Sequence, residues 1–422
     1  MKLSATAPWS SRSEVGLVAT PAAVRSVVAK GLADRAQRVS QWVEHHEYRA
    51  YDPGDGQRSP YARWLRPYPS LQRWLTAAVL RSPVNLRPLL GITPHTSTKA
   101  MGYMAWGYTL RYRQGRDPID SVKAKACLQW LMDHRSACPS GAAWGNHFDF
   151  TTRAGRIAKG EPTIVWTSLI AQAFLAAYDT WGDEQHWQVA KGACQWIDTL
   201  PRHKTAHGVC LSYVPTRQLS VHNANMLGAA ILAEVGRREG RGAWQDLAHE
   251  AMRYSCEHQQ EDGAWLYAQE PRYHWIDNFH TGYNLDSLHR YNAAVPKAYR
   301  FELHELRGWR YFRSRFFDRL GRPRYTPDRL WPVDIQCVAQ SIDTLTLLRQ
   351  HDRCALDQAE GVARWAVHRM QDPTGYFYYR DHGWFRSRIP MLHWGQATMF
   401  KALTHLSGAL NPDFAGSSCS TS

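Results

Sequence analysis

Among its 422 residues the chain has no run of 18 apolar residues, which excludes a membrane-spanning helix. Its opening, MKLSATAPWSSRSEVGLVATPAAV, lacks the continuous apolar stretch of a secretory signal, so a cytoplasmic protein is expected. Cysteines are few and scattered (Cys127, Cys138, Cys194, Cys210, Cys256, Cys337, Cys354, Cys419), with no C-x-x-C pair and no His at zinc spacing. Buried thiols in a reducing compartment follow. The chain also lacks G-x-S-x-G, G-x-x-x-x-G-K, G-x-G-x-x-G and H-E-x-x-H. No metal and no cofactor is expected. The absence of a D-D-x-x-D-type acid cluster ranks a prenyl- or terpene-handling protein last. Without zinc-finger spacing, a basic helical arm or an RNP-like strand, nucleic acid is not an expected partner.

Aromatic residues are abundant: 19 Trp and 20 Tyr in a chain that is 44% apolar and 21% charged. Such rings supply buried area and a polar handle together, and an aromatic face covers the C–H face of a pyranose well. The net charge of +14 is spread along the sequence rather than blocked. It suits a polyanionic glycan, an anionic membrane leaflet or simply a solvated surface.

Helical periodicity runs almost the whole length. Six segments are apolar on nearly every face: 99–113, 167–181, 224–236, 280–291, 336–348 and 393–406. Such helices are buried on both sides. Amphipathic segments alternate with them, as in EQHWQVAKGACQWIDTL, and belong to an outer layer. After each amphipathic segment comes a glycine followed by aromatic residues, at Gly208, Gly263, Gly321 and Gly375, roughly every 55 residues, with Gly141 before them. Each unit reads as inner helix, outer helix and short hairpin, and a helix around 23–48 supplies the sixth outer member. The expected fold is all-α, an (α/α)6 toroid of paired inner and outer helices with short β-hairpins at one end. Its expected extent is 21–410, between disordered ends at 1–20 and 411–422.

In such a ring, chemistry gathers where hairpin gives way to inner helix. The junctions are polar: WGNHFDFTTR, SYVPTRQLSVHNAN, EPRYHWIDNFHTGY, LWPVDIQCVAQS and YYRDHGWFRSRIPMLHWGQA. His280 and Tyr283 share a helical face, an imidazole and a phenol that serves as acid or base if its pKa falls. Asp277 would orient His280 or cap the helix. These three are the candidate catalytic residues. His222, Asn223 and Asn225 supply an imidazole and two amides, which both donate and accept, as sugar hydroxyls require. A helix cap alone would account for Asn223. Asp334, Gln340, His393 and Gln396 repeat the pattern, with Trp144, Asp149 and Tyr379 as further binding candidates. Arg153 and Arg388 would clamp a carboxylate. No acidic pair stands out as acid and nucleophile for glycoside hydrolysis, although Asp52, Asp55, Asp149, Asp277 and Asp334 leave that route open.

The segments YDPGDG, RSPVNLRPLLGI, WGNHFDF, VHNANMLGA, WIDNFHTGYNLDSL and GYFYYR give the chain a resemblance to the VpsJ-like α/α-toroid proteins of bacterial capsule and exopolysaccharide biosynthesis. One departure is His147, where an aromatic or acid-rich variant would be expected. The resemblance implies an (α/α)6 toroid and a role in making or tailoring a surface polysaccharide, but carries over no catalytic assignment. The expected ligand is an acidic or neutral polysaccharide or oligosaccharide, with membrane-associated glycan-synthesis machinery as a further partner. The leading expectation is an enzyme acting by epimerisation, elimination or hydrolysis at a uronate or amino-sugar unit. A non-catalytic glycan-binding or assembly protein is the alternative. The expected sugar site falls if His280, Asn223 and Gln396 point into separate regions with no shared cavity.

Overall fold

A computed structural model describes residues 21–65, 67–152 and 155–411. The expectations for 1–20 and 412–422, and for Arg153, lie outside the described residues. The chain enters through α1 (Pro21–His45), makes an excursion of two short helices, α2 (Pro60–Trp64) and α3 (Pro69–Arg81), and then alternates between two layers. The successive pairs are α4 (Thr98–Gly115) with α5 (Pro118–Asp133), α6 (Ile164–Trp181) with α7 (Glu184–Asp198), and α8 (His222–Glu239) with α9 (Gly242–Glu257). Next come α10 (Asn278–Ala294) with α11 (Glu302–Arg315) and α12 (Ile335–Leu347) with α13 (Ala355–Met370); α14 (Ala397–Leu410) ends the series.

The even-numbered helices from α4 to α14 each pack on their neighbours, and α14 returns to α4, so the inner layer is a closed ring of six. α1 packs on α14 as the sixth outer helix. Buried glycines set the spacing of the inner helices. A Cβ on Gly107 would lie 2.5 Å from the Phe400 ring, and one on Gly228 would lie 2.4 Å from Ile164. Only a bare backbone lets α4 reach α14, and α8 reach α6, this closely.

The repeated glycines do a different job. Gly141, Gly208, Gly263 and Gly375 all have positive φ. A Cβ on each would land 2.0–2.5 Å from the carbonyl oxygen of Gly192, Glu250, Arg307 and Arg38 respectively. Each turn therefore sits on the backbone of the next outer helix, and Gly375 locks the last turn onto α1. The expected hairpins are mostly reduced to such turns. Of the turns at Gly141, Gly208, Gly263, Gly321 and Gly375, the one at Gly208 carries a strand ladder among the described residues, where β3 (Arg202–Thr205) meets β4 (Gly208–Leu211). Gly321 and Gly375 lie within loops closed by the single bridges Phe317–Pro323 and Gln371–Phe377. Further short strands lie in the junctions: β1 (Phe150–Thr152) with β2 (Gly155–Ile157), and β5 (Val333–Asp334) with β6 (Arg380–Asp381) and β7 (Arg386–Ser387).

Candidate functional site

The N-termini of the inner helices converge at one end of the ring, and a single π turn, Leu392–Gln396, leads into α14 there. π turns are rare and cluster at functional sites. This one turns the backbone N–H groups of His393 and Trp394 toward Asp52 Oδ1, at 2.9 and 3.4 Å. Asp52 is fully buried, its Oδ2 lies 2.8 Å from His393 Nδ1, and His95 Nε2 stands 3.7 Å away. Burial alone would raise the carboxyl's pKa, but attraction and hydrogen bonding from His393 and His95 hold it below the usual carboxylate range. Burial pushes the His393 imidazole down from its ordinary value. The Asp52 carboxylate, 2.8 Å from Nδ1 but not aligned as a hydrogen bond, favours the Nδ1–H tautomer of His393, which leaves Nε2 with its lone pair.

A second Asp–His pair brings the same atoms together, here in a hydrogen bond. Asp277 caps α10 through the His280 N–H at 2.9 Å, and its Oδ2 meets His280 Nδ1 at 2.6 Å. Trp275 Nε1 donates to the same oxygen at 3.1 Å. The dyads share one aromatic wall, because Phe279 lies 4.0 Å from the His280 ring and 5.1 Å from that of Trp394. Asn223, Asp277, His280 and Asn284 line a narrow crevice beside the second dyad. The buried amide oxygens of Asn223 and Asn284 have no hydrogen-bond partner among the described residues. Such oxygens suit a donor hydroxyl.

Below the mouth the ring is bridged through its centre. Tyr283, on α10, accepts from Lys99 Nζ at 3.3 Å and from Gln336 Nε2 at 3.0 Å, and its hydroxyl meets that of Tyr103 at 3.1 Å. Two incoming donors leave the phenol proton for Tyr103. Lys99 is buried among the rings of Trp166, Tyr283 and Tyr103, at 5.2, 5.4 and 5.8 Å. Burial brings its amine down to about 8, against a smaller opposing pull from Asp52. Deeper still, Gln340 donates to Asp286 at 2.8 Å, and Asp343 pairs with Lys401 and His405. A cavity of about 160 Å³ lined by Trp106, Gln172, Arg290 and His405 lies at the far end.

These positions redistribute the expected roles. Asp277, His280, Asn223 and His393 lie at the mouth, with Tyr283 and Gln340 below. Burial raises the Tyr283 phenol, so the condition for it to act as an acid or base, a lowered pKa, is not met: the hydroxyl stays protonated and holds Lys99. Asp334 accepts from Trp394 Nε1 and from Arg380 Nε, both at 2.7 Å, and so positions two side chains of the mouth. Asp149 is held by Arg156 at 2.5 Å and by the Lys159 N–H at 2.9 Å.

Six other candidates do not reach the mouth: five are consumed by the fold, and Arg388 lies outside it. Asn225 accepts from Leu211 N and donates to Ala251 O and Ser255 Oγ. Gln396 clamps the N–H and carbonyl of Phe377, so it does not join His280 and Asn223 in one hollow. Trp144 is wholly buried and donates to Leu131 O. His222 has Nδ1 on Ser255 and Nε2 on Gln269, inside the Tyr254 and His258 rings. Tyr379 is buried beneath the Arg380 guanidinium, 4.5 Å away. Arg388 is exposed and lies over Tyr378, whose hydroxyl donates to Asp372, outside the mouth.

Lys99, Tyr103, Gln336, Trp166, Trp394, Arg380 and His95 escaped the sequence reading. The available signal was Lys99 and Tyr103 at i, i+4 in an otherwise apolar inner helix. His147, the residue out of pattern, packs 4.3 Å from the His95 ring, and neither of its nitrogens has a partner among the described residues. Burial takes it down to about 2.

Among the described residues one group has metal-ligand spacing: His289, Glu305 and His351, at the opposite end of the ring. Glu305 Oε1 accepts from both imidazoles, at 2.8 and 2.6 Å, and Oε2 accepts from Asn292 at 2.6 Å. The group is closed by its own hydrogen bonds.

No protein-family model matches the chain, and no curated protein matches it in sequence. Solved structures do match in fold. A polysaccharide lyase superposes with a TM-score of 0.59 at 10% identity, covering 91% of this chain and 98% of its own. A sugar epimerase from a ruminal bacterium gives 0.57 at 12% identity, covering 73% of this chain and 87% of its own. The GH76 α-mannanase of Bacteroides thetaiotaomicron gives 0.56 at 10% identity, with 74% and 86% covered. At these identities the similarity establishes the α/α-toroid fold of carbohydrate-active enzymes and leaves the chemistry to the site.

Proposed function

We propose that this chain is a carbohydrate-active enzyme that moves a proton on a sugar ring, as an epimerase or lyase, at a uronate or amino-sugar unit of a glycan. The observation that carries the reading is the pair of Asp–His dyads, Asp52–His393 and Asp277–His280. Both place Nδ1 against a carboxylate oxygen, at 2.8 Å for His393 and in a 2.6 Å hydrogen bond for His280, which leaves Nε2 as the basic nitrogen. Two such bases on one aromatic wall suit removal of a proton by one imidazole and its return by the other. Lys99 and Arg380 supply positive charge for a carboxylate or a developing oxyanion. Trp394 and Trp166 offer faces for the ring.

Hydrolysis by paired carboxylates is the weaker fit. Asp52, Asp55, Asp149, Asp277 and Asp334 each already accept from a cation, an imidazole or a helix N-terminus. An acid catalyst must instead hold a proton. Placement in capsule or exopolysaccharide synthesis, in the cytoplasm, is part of the proposal, and the resemblance to VpsJ-like proteins supports it. A second reading, glycan binding without turnover, is favoured by the bridging of the ring centre through Tyr283 and Lys99.

The test is proton exchange in D2O, read by NMR, across uronate and amino-sugar oligosaccharides. Exchange or elimination is expected, falling at least ~100-fold in His393→Asn and in His280→Asn. Binding without exchange on any substrate would replace this proposal with the second reading.

A further inference from the structure

In the excursion between α1 and α4, whose two ends bring Asp52 and His95 to the mouth, α2 and α3 belong to neither layer of the ring. Its own base is closed by one buried ion pair: Arg87 Nε reaches both oxygens of Asp55, at 2.9 and 2.8 Å, with both side chains fully buried. Gly56 lets α3 lie directly on this base, since a Cβ there would stand 3.1 Å from the Thr76 backbone. The anchoring is tight, yet the outer face of the excursion is apolar. Tyr61, Trp64, Tyr68, Leu71, Trp74, Val84 and Leu89 are all exposed, Trp64 by 82% and Trp74 by 70%. They make up seven of the sixteen exposed large apolar side chains among the described residues. Clustering of this kind marks an interaction surface.

The charge around this face narrows the partner. Residues 57–91 contain six arginines, and no Asp or Glu occurs from 57 to 116. Arg73 and Arg81, on α3, are exposed beside Trp74 and Leu71. A second copy would bring the exposed Arg73 and Arg81 against the same two residues, because a two-fold interface pairs a surface with itself. Trp and Tyr with flanking Arg suit the boundary between lipid headgroups and acyl chains, where the ring body is buried and its polar tip stays wet.

We propose that the α2–α3 excursion is an interfacial docking element that seats the protein on an anionic lipid bilayer. Trp64, Trp74 and Leu71 enter the headgroup boundary, while Arg73 and Arg81 pair with lipid phosphates. The helices lie on the surface and do not span it: α3 has 13 residues, and no helix among those described is long and apolar enough to cross. The Asp52 N–H does bond Asp55 Oδ2 at the base of the excursion, at 3.2 Å, but the residues substituted below are exposed ones of α2 and α3 and the readout is vesicle binding, so the test is read independently of the proposed chemistry.

The experiment is flotation of the full chain with vesicles of phosphatidylcholine alone or with 30% phosphatidylglycerol, at about 0.1 and 0.5 M salt. Binding to the anionic vesicles is expected, dropping at least ~10-fold at high salt, in Trp64→Ser/Trp74→Ser and in Arg73→Gln/Arg81→Gln. Trp384→Ser, removing an equally exposed Trp of the β6–β7 loop, should bind as the parent does. All the substituted side chains are exposed, and circular dichroism confirms that each variant is folded. No vesicle binding, equal binding to neutral vesicles, or parent-like binding by both double variants would overturn the proposal. So would a dimer, seen by light scattering, that the Trp64→Ser/Trp74→Ser change dissociates; the occupant of the face would then be a second copy.

Discussion

The hydroxyl of Tyr283 accepts a hydrogen bond from the amine of Lys99 across the ring, 3.3 Å away, although 184 positions separate the two in sequence. α4 and α10 are three helices apart in either direction around a ring of six, so this contact passes through the centre. The ring is a cup with a polar floor rather than an open tube. At that floor the ammonium group is caged by three aromatic rings.

Lys99→Met keeps the stem of the side chain and removes its charge. It is expected to lower turnover by ~100-fold or more while leaving the melting temperature within a few degrees, because burying an ammonium is itself costly. Steady-state kinetics with thermal melts check this. Since the amine titrates near 8, turnover that needs the ammonium form should fall as pH rises through 8 in the parent. The Met variant should have lost that limb.

Asn225→Ala and Gln396→Ala test whether these amides belong to the fold. Each would leave buried backbone groups without partners, at about 1–3 kcal/mol per group. Denaturant unfolding should show the loss. Glycan affinity of the remaining folded protein should match the parent, whereas Asn223→Ala should weaken affinity with little change in stability.

Asp286 lies close to Asp343 in the floor, and burial together with that second carboxylate raises its pKa. The folded state therefore binds a proton that the unfolded chain releases between about pH 4 and the raised value. Stability is lost as pH rises through that interval. Asp286→Asn should equal the parent near pH 4 and exceed it at pH 8 by at least ~1.4 kcal/mol, the equivalent of one unit. Urea unfolding across pH measures it, and a variant less stable than the parent at pH 8 would show the sign to be wrong.

Gly107→Ala places a methyl where Phe400 stands, at the joint where α14 meets α4. A cost of about 1–3 kcal/mol is expected from overpacking. Gly361→Ala, on the outer helix α13 with open space around it, should be neutral or slightly stabilising. A chemical-denaturation comparison of the two separates ring closure from helix propensity.

Layering was readable because it is a local property. An inner helix is apolar on all faces and an outer one on a single stripe, and each fills about 15 residues, so periodicity reveals both. The repeated glycines were readable as turns for the same reason. That they press on the carbonyls of the next outer helix was not, since Gly208 and Glu250 are distant in the chain.

Amides and imidazoles at the helix starts looked alike in sequence. Asn223 and Asn225 stand two residues apart, yet one faces the crevice and the other is spent on Leu211, Ala251 and Ser255. A helix turns 100° per residue, so which of the two meets the cavity depends on how α8 is rotated against α9. His393 and Asp52 lie at opposite ends of the chain, and Lys99 was hidden by its apolar neighbours.

The sequence by itself determined that paired helices of two characters would alternate and close on themselves, because burial on one face or on all faces is written in residue spacing. Only the tertiary structure decided which polar side chains became chemistry. A hydrogen bond offered across the ring competes with one offered by the nearest backbone, and folding settles that competition through rotations and distances that no local pattern records.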